Sequence, residues 1–346
     1  MHSIAIRADG SPAIGMGHIM RCLALAKEFN RAGCRVCFLC RCAEGTGRIR
    51  QEGFEVFELG LSSAPNTPGS AEIELKAVID RIQKDGVDIL VIDTYNVSED
   101  YFLKLRPYVN QLVYVDDMNR FPYPADVVVN GNITGKYMNY KKYYDDGILL
   151  LGPEYNLIRE EFENLPDRAV NREVREIMVT TGGSDPHGLS VAIIHRLLED
   201  SELRSLKINA VAGNLFTNKD KLRELGRNYN NVVLYENVKF MSEIMLKSDM
   251  AISAGGSTLY ELCACGTPTL AFIAADNQEF VVEKMDEMGY VESLGRYGEL
   301  SGDELILRVK ALAHNFEKRR SLSKKMQRLV DGKGARRVAG IILGRR

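Results

Sequence analysis

Short apolar runs alternate with amphipathic stretches along the whole chain, and this alternation limits the fold more than any other feature. SIAIRA (3–8), VCFLC (36–40), FEVFEL (54–59), VDILVID (87–93) and QLVYVDD (111–117) read as strands. Helical periodicity lies between them at about 18–31, 70–84 and 98–106, and ADVVVN (125–130) and GILLLG (147–152) add two short strands. The second half repeats the pattern. Its strands are VREIMVTT (174–181), LKINAVA (206–212), NVVLYE (231–236), DMAIS (249–253) and TPTLAFI (267–273). Its helices are expected over 188–199, 218–229, 240–247, 257–265, 277–288 and 303–314. Strands separated by helices pair in parallel, and parallel sheets need helices on both faces. The Pro- and charge-rich NLPDRAVNRE (164–173) separates the two sets. The pattern therefore predicts an α/β protein of two doubly wound, Rossmann-like domains, 1–165 and 166–346. The second ends in a basic helical tail (316–346) whose Lys and Arg residues read as a solvated face. Ligands of such sheets sit at the carboxyl ends of the strands, so the active site is expected in an interdomain cleft.

Composition narrows the function. With 45% hydrophobic residues among 346, the chain has the apolar material to offset chain entropy, which excludes a mainly disordered protein. Lys and Arg total 45 against 47 Asp and Glu, and this balance argues against a nucleic-acid partner. No run approaches the ~18 apolar residues of a membrane span. MHSIAIRADG lacks the basic-then-apolar order of a secretory leader. Five of seven cysteines cluster at Cys22, Cys34, Cys37, Cys40 and Cys42, and a reduced, cytoplasmic protein is the simplest reading. The CxxCxxC spacing of Cys34, Cys37 and Cys40 suggests a metal. Strand alternation, however, turns Cys37 to the face opposite Cys34, Cys40 and Cys42. No second CxxC follows at finger spacing, so buried thiols and no metal site are expected.

Three glycine-rich turns carry the chemistry. ADGSPAIGMGHIMRCLALA (8–26) runs from the first strand into a helix, but Gly10, Gly15 and Gly17 do not form a dinucleotide fingerprint. His18 follows Gly17 at the helix start, where the helix dipole disfavours imidazolium, and a neutral ring there suits a base that takes a proton from water. The alternative is a capping or structural histidine. Arg21, one turn on, would bind an anion or pair with Asp9. TTGGSDPHG (180–188) opens the second set, and its amides at Gly182 and Gly183 would cradle a phosphate oxygen or a substrate hydroxyl. Alternatively it is a tight turn with Ser184 or Asp185 capping the next helix, and His187 reads as an exposed, ordinary residue. In DMAISAGGSTLYELCACGTP (249–268), Gly255 and Gly256 permit close backbone approach and the helix near Ser257 offers N–H groups to a diphosphate. Glu261 is placed to accept from ribose hydroxyls, but Thr258-x-x-Glu261 is also a capping-box spacing. Asn277 and Gln278, in AADNQEF (274–280), suit sugar hydroxyl or acetamido groups, with Asn277 as a helix cap the alternative.

These segments together resemble the UDP-2,4-diacetamido-2,4,6-trideoxy-β-L-altropyranose hydrolases (PseG-type) of pseudaminic acid biosynthesis. The resemblance runs nearly full length, through IRADGSPAIGMGHIMRCLALA, VIDTY, VDD, VVVNGN, LGPEYNLIREEF, TTGGSDPHG, AGGSTLYELCACGTP, DNQ and DGKGARRVAGIIL. The third turn is also similar to the nucleotide-sugar site of MurG-like GT-B glycosyltransferases. The resemblance implies a GT-B-like fold and an inverting, metal-independent hydrolysis that releases UDP and needs no cofactor. His18 then activates water. Gly256, Ser257, Thr258 and Glu261 hold the nucleotide, Asn277 and Gln278 lie near the sugar, and Tyr95 lines the cleft. A diphosphate is already a good leaving group, so one base suffices, and no carboxylate pair of glycosidase type is evident in the sequence. A GT-B glycosyltransferase, in which His18 deprotonates an acceptor hydroxyl, and a silent nucleotide-sugar-binding module are the alternatives.

Overall fold

The computed structural model describes residues 2–11, 15–41, 43, 45–61, 70–142, 147–213 and 216–344. Contacts divide the chain into two units, Met1–Arg159 with Lys333–Arg346 and Glu160–Gly332. The sequence division at 165/166 assigned the whole tail to the second domain; its last helix instead packs with the first unit.

The first unit contains β1 (Ser3–Ala8), α1 (Gly17–Arg31), β2 (Arg35–Cys40), α2 (Thr46–Gln51), β3 (Glu55–Glu58) and α3 (Ser70–Asp85). It continues through β4 (Ile89–Asp93), α4 (Glu99–Leu105), β5 (Gln111–Val115), β6 (Val127–Asn130) and β7 (Ile148–Leu151). The strands lie in the order β3, β2, β1, β4, β5, β6, β7, all parallel. Every residue of β4 is buried, which explains the unbroken apolar run from Ile89 to Ile92 before Asp93: a central parallel strand has no solvent face. On one face Ala5, Leu90, Ile92, Leu112 and Tyr114 pack with Val78 and Ile82 of α3 and Tyr101, Phe102 and Leu105 of α4.

The second unit holds β8 (Glu176–Thr180), α5 (Leu189–Glu199), β9 (Lys207–Ala212), α6 (Lys219–Asn228), β10 (Val232–Glu236) and α7 (Met241–Lys247). Next come β11 (Met250–Ala254), α8 (Thr258–Cys265), β12 (Thr269–Ile273), α9 (Asp276–Glu287), β13 (Glu292–Arg296), α10 (Gly302–His314) and α11 (Phe316–Leu329). Its sheet order is β10, β9, β8, β11, β12, β13, again parallel. The last helix, α12 (Gly334–Ile342), packs on α1 of the first unit, where Arg337 Nη1 donates to the Glu154 carbonyl at 2.9 Å.

Two elements were not anticipated. β13 reads ESLGR, and an edge strand with one unpaired side need not be apolar. α2 is six residues whose only large apolar side chain, Ile49, is buried. The tail is not uniformly a solvated face either. Arg319 is fully buried and donates to the carbonyls of Leu312, Asn171 and Arg172 at 3.1, 2.9 and 2.7 Å. Cys22, Cys34, Cys37 and Cys40 are buried and not joined in disulfides, and Cys42 lies outside the described residues. Among the described residues no helix is long and apolar enough to cross a membrane.

Candidate active site

In the first unit the winding changes direction between β1 and β4: β1 leads through α1 outward to β2, and β4 leads through α4 the other way to β5. A crevice opens at the carboxyl ends of the strands at such a switch point. α1 begins there and β4 ends there, in Asp93. His18, Arg21 and Cys22 stand at i, i+3 and i+4 on α1, which puts them on one helix face. All three reach the same carboxylate. His18 Nδ1 lies 2.8 Å from Asp93 Oδ1, Arg21 Nε and Nη2 donate at 2.6 and 2.5 Å, and Cys22 Sγ donates to Oδ2 at 3.2 Å.

The electrostatics follow from this crowding. Burial alone would raise the Asp93 carboxyl, but Arg21 and then His18 outweigh it and hold the group well below the usual carboxylate range. Burial opposes the charge of Arg21, yet Asp93 and Asp117 push its guanidinium further up. Burial and then Asp93 push the Cys22 thiol well up, so it remains a neutral donor. An ionised carboxylate only accepts, so in the neutral ring the His18 proton sits on Nδ1 and the lone pair on Nε2.

Tyr95 meets the His18 ring edge-on, with centroids 4.7 Å apart and planes at 87°. Its hydroxyl donates to Asp117 Oδ2 at 2.8 Å, and Arg21 Nη1 lies 3.3 Å from the same oxygen. The five side chains thus form a closed circuit: His18, Asp93, Arg21, Asp117, Tyr95 and back to His18. Asp117 is placed by its neighbour. Asp116 accepts from the amides of Met118 and Asn119 at 3.2 and 2.8 Å and from the Tyr123 hydroxyl at 3.0 Å, with Tyr140 as a fourth donor.

The sequence reading is corrected at two points here. Arg21 does not pair with Asp9, whose carboxylate binds Arg7 Nη2 at 2.6 Å, and it is not a vacant anion site, because Asp93 and Asp117 occupy its donors. Two carboxylates that the sequence did not place beside His18, Asp93 and Asp117, do gather there, both paired with Arg21. The signals were an acidic residue closing a buried strand at the switch point and the H-x-x-R-C face opposite it. Gly17 is the first residue of α1, and Gly15 pairs with Ser11 through backbone bonds of 2.7 and 3.3 Å; residues 12–14 of this turn lie outside the described residues.

In the second unit the switch point lies between β8 and β11, and four loops meet there. Gly182 has φ +89, and a Cβ on it would lie 3.8 Å from Thr258 Oγ1. A Cβ on Gly255 would strike Val282 Cγ2 at 2.3 Å, and one on Gly256 would reach Gln278 Nε2 at 4.0 Å. Gly182, Gly256, Thr258 and Gln278 are therefore neighbours. The capping-box alternative fails: Ser257 is the N-cap of α8, its side chain caps nothing, and Thr258 is already helical. Glu261 sits half-buried in the first turn of α8. Asn277 is exposed in the second position of α9, whose N-cap is Ala275, so it is not the cap. Gln278 Oε1 accepts from the Ala274 amide at 2.9 Å, which fixes the side chain across the loop.

The 180–188 turn takes its structural alternative at the helix. Asp185 accepts from the amides of Leu189 and Ser190 at 2.8 and 3.0 Å, occupying the start of α5, and His187 is exposed. Gly213, after β9, went unnoticed in the sequence. A Cβ there would lie 2.4 and 2.5 Å from the carbonyl oxygens of Gly183 and Gly182, and backbone atoms cannot step aside. Gly213→Ala is expected to cost about 1–3 kcal/mol, read as a fall in denaturant midpoint; an unchanged midpoint would contradict this packing.

Residues 177–337 match the glycosyltransferase family 28 C-terminal domain. The chain is 28% identical over 292 residues to the UDP-2,4-diacetamido-2,4,6-trideoxy-beta-L-altropyranose hydrolase of Campylobacter jejuni, covering 83% of this chain and 97% of that one. It is 29% identical over 280 residues, 77% of its length, to the uncharacterized protein MJ1062 of Methanocaldococcus jannaschii, of which it spans 54%. Among solved structures, Acinetobacter baumannii MurG superposes over 99% of both chains with a TM-score of 0.67 at 12% identity. The chain is thus related to the PseG-type UDP-sugar hydrolases and shares the GT-B fold of MurG.

Proposed function

We propose that the protein hydrolyses UDP-2,4-diacetamido-2,4,6-trideoxy-β-L-altropyranose to UDP and the free sugar with inversion at the anomeric carbon. His18 Nε2 takes a proton from water as the water oxygen bonds to the anomeric carbon, and the bond from that carbon to the phosphate oxygen breaks with its electrons leaving on UDP. The imidazolium formed is stabilised by ionised Asp93, which also fixes the tautomer and plane of the ring. The 2.8 Å contact of His18 Nδ1 with that carboxylate is the observation that carries the reading. In the second unit Gly256, Ser257 and Thr258 present an uncapped helix start suited to a diphosphate, with Gly182 and Gly183 beside them. Glu261 then takes the ribose, and Asn277 and Gln278 the sugar.

The test is incubation with the UDP-sugar alone, followed by proton NMR. Free sugar of inverted anomeric configuration and stoichiometric UDP are expected. The match to a glycosyltransferase domain favours one second reading, transfer to an acceptor hydroxyl deprotonated by His18. Inertness until an acceptor is added would replace the first reading with the second.

A further inference from the structure

A second opening lies beside the His18 circuit, between the starts of α3 and α4. It is a cavity of about 310 Å³ in the first unit, and Tyr95 forms one of its walls. The same ring meets His18 with centroids 4.7 Å apart, so the cavity begins one aromatic ring away from the base. A sugar whose anomeric carbon faces His18 would extend a ring substituent past Tyr95 into it.

Charge at the walls disfavours an ionic group. Arg41 Nη1 and Glu74 Oε2 pair at 2.6 Å with both side chains buried, and Glu74 Oε1 also takes Arg7 Nε at 2.9 Å. Nearer solvent, Lys104 Nζ pairs with Asp100 Oδ2 at 2.7 Å, and Glu72 adds a third carboxylate. Each of these lining cations already faces an anion, and three carboxylates against two cations repel a phosphate or a carboxylate. Glu72 is exposed, where water screens it, so an ammonium gains little from it. Neutral groups remain. The lining is apolar at Ala71, Leu75 and Val97 and uncharged but polar at Asn96 and Ser98. The Asn96 amide both donates and accepts. The Ser98 oxygen accepts from the Tyr101 amide at 3.3 Å, which leaves its own proton to give. An amide carrying an alkyl chain matches both halves of this surface. A cavity of about 150 Å³ already holds benzene, so this one exceeds what an acetyl methyl fills.

We infer that this cavity is an acyl pocket of the sugar site. An acylamino substituent bonds through its amide to Asn96 and Ser98 and lays its chain against Leu75 and Val97, and the pocket admits N-acyl chains longer than acetyl. This rests on the hydrolase reading above and deepens it, naming N-acylated sugars of variable chain length as the substrate class.

The experiment measures kcat/KM for UDP release from the diacetamido parent and from analogues altered at one nitrogen at a time to propanoyl, butanoyl or the free amine. At one of the two nitrogens each added methylene is expected to raise kcat/KM by about two- to fourfold, and the free amine to lower it by about 10–100-fold. Ala71→Leu, a change compatible with an exposed helical position, narrows the cavity and should reverse the order, with acetyl now ahead of butanoyl. Asn96→Ala should cost about 5–10-fold on the acylated substrates and nothing on the free amine. The shift in melting temperature produced by UDP should be equal in all three proteins. A kcat/KM that does not rise from acetyl to butanoyl at either nitrogen would overturn the assignment, as would a free amine as good as the parent or an order of chain lengths that A71L leaves unchanged. If A71L does not fold, the wild-type chain-length series and the N96A comparison decide alone. Failure of wild type to release UDP from the parent would instead defeat the hydrolase reading, and the order of chain lengths is then read from the melting-temperature shifts that the same UDP-sugars produce.

Discussion

Replacing His18 by alanine is expected to slow UDP release by about 10²–10⁴-fold, the usual contribution of a positioned general base. The affinity for UDP should hardly change, because the groups suited to UDP belong to main chain and side chains of another unit. Single-turnover rates and UDP-induced shifts in melting temperature separate the two quantities. Removing His18 also frees Asp93 Oδ1 of one donor while Arg21 keeps both its bonds, so the fold should tolerate the change. A variant that turns over within a few-fold of wild type would dismiss His18 as the base.

Asp93→Asn should act on rate and stability together. An amide can present N–H to the ring in place of a carboxylate, which favours the tautomer with the lone pair on Nδ1 and turns the proton toward the reacting water. The expected loss in kcat is about 10²–10⁴-fold. Stability should fall by roughly 3 kcal/mol, the low end for breaking a buried ion pair, because Arg21 retains Asp117. The pH dependence has a definite sign. Asp93 is ionised in the folded state below its ordinary value near ~3.9, so its contribution is complete above that pH and is lost as pH falls through the lower folded value. The stability gap between wild type and D93N should therefore be widest at neutral pH and close on acidification below about pH 4. Denaturant melts at several pH values read it directly; a gap that is constant down to pH ~2 would place the stabilisation elsewhere.

Strand–helix alternation made most of the fold legible, since β1, β4, β8 and β11 are buried on both faces and are apolar over most of their length. β13 escaped because an edge strand carries no such requirement. The candidate site was readable where a turn needs a special residue, as at Gly182 and Gly255. It was unreadable where the partner arrives from a distant strand: Asp93 is 75 positions from His18 and looks like the end of any buried strand. The basic tail misled in a different way. Arg319 sits in an ordinary helical charge pattern, and only the packing reveals that main-chain carbonyls surround it.

The return of α12 to the first unit has a consequence for synthesis. The helix that bears His18 is buttressed by residues 334–342, which leave the ribosome only after the entire second unit. Nascent chains fold from the amino end as domains emerge, so here the earlier unit must wait for the later one before its packing is complete. That helix thereby works as a latch that closes only after the second unit has been made, and a product cut short before it would carry His18 on an unsupported helix.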